Sequence, residues 1–162
     1  MNRYKIKVEY DGTPFVGWQF QKNGLSIQEV LESALSRYLK ENIRVIGSGR
    51  TDSGVHASEQ SAHFKTKNKI NNIGIFLNAV NFFLKKHPVS ILNIQKRANN
   101  FHARHSAKER VYKYFIVNRP SSLAIDKNKA WHIKKKLDVK LMKKGATFFC
   151  LLYTSPSPRD RG

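Results

Sequence analysis

From Arg3 to Tyr10 the chain alternates strictly, with Tyr4, Ile6, Val8 and Tyr10 apolar or aromatic and Arg3, Lys5, Lys7 and Glu9 charged. A period of two predicts a strand buried on one face. After the turn-rich stretch DGTPFVGWQFQKNG the period lengthens. Ile27, Val30, Leu31, Ala34, Leu35, Tyr38 and Leu39 share one helical face, and Ser26 with Glu29 has the spacing of a capping box, which predicts a helix over residues 26–40. IRVIGS then reads as a short strand and HASEQSAHFKT as another, so the glycine-rich GSGRTDSGVHA of residues 47–57 joins two strands. A second helix carries Ile73, Phe76, Leu77, Val80, Phe83 and Leu84 in register and stops before Pro88. VSILNIQKRA and RVYKYFIVN predict two further strands, the latter with Tyr112, Tyr114 and Ile116 on one face and Val111, Phe115 and Val117 on the other. The succession predicts an α+β fold, an antiparallel sheet covered by helices.

The end of the chain breaks this regularity. LDVKLMKKGATFF opens a third helix, with Leu137, Leu141 and Phe148 spaced for one face, and then runs into CLLYTSPSPRDRG, which has no periodicity and two Ser-Pro steps. A disordered terminus explains that composition. The alternative is an authentic sequence that stops near Phe149 with translated linker beyond it, and the abrupt loss of the helical pattern favours this second reading. No internal repeat and no clear interdomain linker interrupts what precedes.

Charge changes the picture more than length does. The 162 residues, 40% hydrophobic, suffice for one core. Thirty Lys and Arg against eleven Asp and Glu leave a formal charge of +19, a self-repulsion that a polyanion offsets, and nucleic acid is the leading partner. No stretch approaches the ~20 apolar residues of a membrane span and no apolar leader opens the chain, so the sequence reads as soluble and cytosolic. A single cysteine, Cys150, excludes an internal disulfide framework.

The glycine-rich connection holds the candidate chemistry. Gly49 to Gly54 has the outer spacing of a P-loop, but Val55 and His56 stand where that loop needs lysine and a hydroxyl residue. A dinucleotide fingerprint begun at Gly47 places Asp52 where a carboxylate would repel the pyrophosphate. What remains is a tight loop presenting Arg50 and Asp52, either as an ordinary turn in which Asp52 bonds local N–H groups or as a functional pair. Surrounding positive charge favours an ionised Asp52, suited to act as nucleophile or base. In ERVYKYFIVNR, Tyr112 and Tyr114 sit among cations: one ring face offers stacking to an unstacked base while Arg110 and Lys113 meet phosphates, and core packing is expected for the other tyrosine. His56, His63, His102 and His105 lack nearby cysteines and paired acidic ligands, which argues against zinc. The basic run of residues 127–144 reads as a solvated helix face and its approach, with phosphate contact as the second reading, and Phe15 and Trp18 read as packing anchors. A glycoside hydrolase would need a second carboxylate, for which Asp11 in its turn is the one candidate.

YDGTPFVGWQFQ, SIQEVLESAL, GSGRTDSGVHA, LNAVNFFL and FHARHSAKERVYKYFIVNRP occur in an order that closely resembles the TruA family of tRNA pseudouridine synthases, from about Tyr4 to about Phe149. The resemblance implies a ferredoxin-like half over residues 1–135, the start of a second half over 136–149, and a tail of 150–162 that is non-native or disordered. It also implies a homodimer, no cofactor, no metal, and a tRNA anticodon stem-loop as substrate. By the same resemblance Asp52 is the catalytic aspartate, Arg50 helps displace and hold the target nucleotide, and Tyr112 packs against the target base. The family's second half supplies a basic residue paired with the aspartate and the other wall of the cleft, so the expectation is an N-terminal portion. Two functions stay open on the sequence: a uridine isomerase using Asp52, and a basic RNA-binding fragment that holds tRNA without reacting.

Overall fold

A computed structural model describes residues 1–150, which fall into two compact units, Met1–Val111 and the unit that begins at Tyr112. In the first, strand β1 (Asn2–Tyr10) is followed by helix α1 (Ile27–Leu39), strands β2 (Val45–Gly47) and β3 (Ala57–Thr66), helix α2 (Ile73–Leu84) and strand β4 (Val89–Arg97). The strands form one antiparallel sheet in the order β2-β3-β1-β4. The alternation of β1 is obeyed residue by residue: Tyr4, Ile6, Val8 and Tyr10 are buried, and the charged residues between them are not.

The core lies between that face of the sheet and the two helices. Ile6 and Val8 of β1, Ala62 and Phe64 of β3, and Ile91 and Ile94 of β4 meet Leu31 and Leu35 of α1 and Phe76 and Val80 of α2. Each large side chain among these contributes roughly 1.5–3 kcal/mol by leaving water. Both helices start where the sequence directs. Ser26 is extended and its Oγ accepts the Glu29 N–H, and Asn72 does the same for Ile75. After Leu84 the chain tightens, with the Lys85 N–H donating to Phe82 O and the His87 N–H to Leu84 O, because the residue before Pro88 cannot remain helical.

The opposite face of the sheet is polar, and a turn of residues 98–106 folds over part of it. His63 of β3 is 1% exposed although it points to this face, since Phe101 and His102 pack their rings against it. Its Nδ1 accepts the Ala103 N–H at 3.1 Å. Two register shifts, between Val8 and Tyr10 against β3 and between Lys7 and Val8 against β4, bend the sheet toward the Tyr10 end.

In the second unit, β5 (Ile116–Asn118) and β6 (Trp131–Ile133) pair in parallel, and helix α3 (Val139–Cys150) follows, with Asp138 Oδ1 accepting the Leu141 N–H. The Asn118 amide ties the unit together, donating to Ile133 O and Lys135 O while its oxygen accepts the Leu137 N–H. The strand expected over residues 110–118 is thus only three residues long. A strand requires a partner along its length, and β6 offers three residues. Tyr112 and Tyr114 are consequently 65% and 88% exposed, and neither packs in a core as one was expected to. The expected terminal tail, from residue 150 onward, lies outside the described residues apart from its first position.

Candidate active site

The connection between β2 and β3 is a braced loop. At its entrance the Ser48 N–H donates to Ser61 O at 2.8 Å, and the Gln60 side-chain amide donates to Gly49 O at 2.7 Å. In the middle, Thr51 is gripped from two sides: its Oγ1 is 2.9 Å from the Tyr10 hydroxyl, and its carbonyl accepts the Trp18 N–H at 2.9 Å. Beyond it, Ser53 Oγ donates to Phe15 O, and the Val55 N–H closes a turn onto Asp52 O. Gly54 takes φ +76 in that turn, a conformation that a side chain would strain. Gly17 carries the close approach of the first turn. It has φ +120, and a Cβ there would stand 2.7 Å from Thr51 O.

This bracing fixes the backbone on both sides of Arg50 and Asp52 and leaves both side chains exposed to solvent. A carboxylate and a guanidinium two residues apart, on a loop that cannot easily move, are positioned to meet a charged ligand from solution. Trp18 and Phe15 are buried packing anchors beneath the loop, as their sequence context suggests. The indole of Trp18 lies 5.9 Å from the Tyr10 ring.

Arg110 is a part of the site that residue spacing could not reveal. Its Nε and Nη2 donate to Ser48 O at 3.2 and 2.9 Å, and Nη2 also reaches Arg104 O. The guanidinium expected to face phosphate is thus engaged by the loop's backbone. No sequence signal marks a contact spanning 62 residues. Tyr112 belongs to the other unit, where it is exposed.

Asp11 serves the first turn rather than a second catalytic carboxylate. Its Oδ1 accepts the Thr13 N–H at 2.9 Å, and hydrogen bonding by the Thr13 side chain first, then this N–H bond and the nearby His56, hold its carboxyl below the usual carboxylate range. His56 Nδ1 lies 3.0 Å from the same oxygen and 3.1 Å from the Gly12 nitrogen. Among the described residues no three His, Cys, Asp or Glu side chains are grouped to hold a metal ion. His102 instead packs its ring against His63 and His105, with centroids 4.8 and 4.3 Å apart. No helix among the described residues is long and apolar enough to cross a membrane.

Comparison with known proteins gives a family and relatives. A family model described as tRNA pseudouridine synthase matches residues 6–106, which include almost all of the four-stranded sheet and the whole braced loop. The chain is 54% identical over 146 residues to the tRNA pseudouridine synthase A of Pelagibacter ubique (strain HTCC1062), covering 90% of this chain and 59% of that protein. It is 46% identical over 147 residues to the protein of that name from Ehrlichia ruminantium (strain Gardel), with 90% and 59% covered. For Ehrlichia canis (strain Jake) the identity is 45% over 147 residues, with 90% and 60% covered. The chain therefore spans about three-fifths of the length of the curated relatives it matches.

Proposed function

The chain belongs to the tRNA pseudouridine synthase family, and on that premise we propose that it carries the reactive loop of an enzyme converting uridine to pseudouridine in a tRNA anticodon stem-loop. The observation that carries this reading is the loop itself, a rigid support that exposes Asp52 and Arg50 together. The reaction breaks the bond from ribose C1′ to uracil N1, turns the base and rejoins C1′ to C5. The C5 proton leaves and N1 ends protonated, so substrate and product are isomers. No electrons are transferred and no group departs, so one carboxylate can supply the chemistry. Asp52 attacks the sugar, adds to the ring or removes a sugar proton, each of which a solvent-facing carboxylate on a fixed backbone can do.

To reach the base, the nucleotide has to leave its stack, at a cost of a few kcal/mol. In this reading Arg50 helps displace and hold the target nucleotide and Tyr112 packs against the target base, which the exposure of its ring supports. The excess of cations favours binding of the tRNA backbone and so offsets part of the flipping cost. We place the reaction in the cytoplasm, and a homodimer is the assembly that goes with it.

The test is pseudouridine formation on an unmodified anticodon stem-loop RNA, read by mass spectrometry after uridine-specific labelling, with Asp52→Ala in parallel. Turnover in the wild type and none in the variant, at equal RNA affinity, is the expected result. Turnover that survives in Asp52→Ala overturns the assignment. Binding without turnover in both replaces it with an RNA-holding function.

A further inference from the structure

The polar face of the sheet carries a charge arrangement that the loop does not use. Arg3 on the central strand β1 stands opposite Lys65 on β3 and opposite Arg97 on β4. Three cations thus lie in one row across three adjacent strands. Residues directly opposed on a sheet hold their Cβ atoms roughly 4.5–5.5 Å apart, and like charges there destabilise the pairing. The pairs of Lys7 with Glu59, Arg44 with Glu32 and His56 with Asp11 all lie apart from the row.

Two further observations favour an anion as the ligand of this row. Arg3 Nε is buried without a hydrogen-bond partner, while Nη1 of the same guanidinium donates to Phe101 O and Arg97 lies over the Phe101 ring at 5.7 Å. An orphaned charged donor is costly in a folded protein. The nearby imidazoles respond to the same field. His63 and His102 both hold their protons less readily than an ordinary histidine, first through burial and then through surrounding positive charge to which Arg3 and Lys65 contribute in both cases.

We propose that Arg3, Lys65 and Arg97 form a second RNA contact, a backbone-phosphate site distinct from the Asp52 loop. β1 separates the two, since Tyr10 touches Thr51 at one end and Arg3 stands at the other, seven steps or roughly 24 Å away along an extended strand. The guanidinium edge matches phosphate oxygens two at a time, and a row of cations follows a chain of phosphates better than a single ion. The neighbours on this face, Lys5, Ser61, Asn93 and Gln95, are polar. These strand positions beside the row offer no apolar side chain to insert into a lipid surface, which favours RNA as the polyanion the row fits. The proposal rests on tRNA being the substrate, and it adds where the RNA lies beyond the reacting nucleotide.

The experiment reads binding alone, so it is independent of whether the chain turns over. Affinity for an unmodified tRNA transcript is measured by fluorescence anisotropy over a salt series for wild type, Lys65→Gln/Arg97→Gln and the control Lys85→Gln/Lys86→Gln at the end of α2. The two exposed row residues are chosen so that Arg3 keeps its bond to Phe101, and thermal melting verifies the fold. The row variant is expected to bind about tenfold more weakly, with a slope of log K against log salt smaller by about 1.5–2. In wild type, RNA raises the pKa of His102 seen by NMR, and in the row variant it does not. An unchanged slope in a folded row variant, or an equal loss in the control pair, overturns the proposal. So does loss of binding to phosphatidylserine vesicles with RNA binding intact.

Discussion

Tyr10 ends β1 with its ring in the core and its hydroxyl on Thr51, the residue between Arg50 and Asp52. Tyr10→Phe keeps the packing and removes one bond to the loop. A stability loss of about 1 kcal/mol is expected from thermal or urea unfolding. In an active enzyme the turnover number should fall while RNA affinity holds, because the loop loses positional precision and no RNA-facing group is removed. A loss confined to affinity would show that the bond does not orient the loop. At this scale the sequence disclosed the candidate chemistry but not its supports. Asp52 and Arg50 stand out because they lie in one short motif of distinctive composition. Gln60, Tyr10 and Arg110 act on that motif from 11, 41 and 62 residues away, and no local pattern encodes such contacts.

The elements of the first unit were legible because each is amphipathic against one core. β1 shows this best, with a period of two that maps directly onto burial. The segment of residues 110–118 departs from its sequence pattern for the converse reason. Its apolar residues on both faces suggest a strand, but strand formation depends on a partner, and its unit provides only Trp131–Ile133. The turn of residues 98–106 was also invisible, since nothing in its composition says that it folds over His63. That contact has a pH signature. Burial, followed by the charges of His102, Arg3 and Lys65, lowers the His63 pKa from 6.5 to about 4, while a hydrogen bond with the Ile46 backbone opposes the shift. The folded protein keeps this ring neutral where the unfolded chain protonates it, so its contribution is full above pH 6.5 and lost as pH falls toward 4. Melting temperatures between pH 7 and pH 4.5 should fall more in wild type than in His63→Gln. Parallel curves would remove His63 from the account.

For the whole molecule, the charge of +19 is the dominant quantity, and the sequence alone is enough to read it. Repulsion among so many cations opposes the compact state at low ionic strength. Raising sodium chloride from about 0.02 to 0.3 M shortens the Debye length from about 20 Å to below 8 Å, so the melting temperature of the free protein should rise. A fall on adding salt would mean that attractive pairs outweigh repulsion. Strand order adds a consequence for biosynthesis. β1 is made first, yet it lies inside the sheet, with β3 on one side and β4 on the other. As the chain leaves the ribosome, Asn2–Tyr10 waits through the synthesis of two helices before its second neighbour, Val89–Arg97, exists. For that interval an exposed strand bearing Tyr4, Ile6, Val8 and Tyr10 is a template for wrong pairing. Arg3, Lys5 and Lys7, alternating with those residues, keep two such nascent strands from associating with each other.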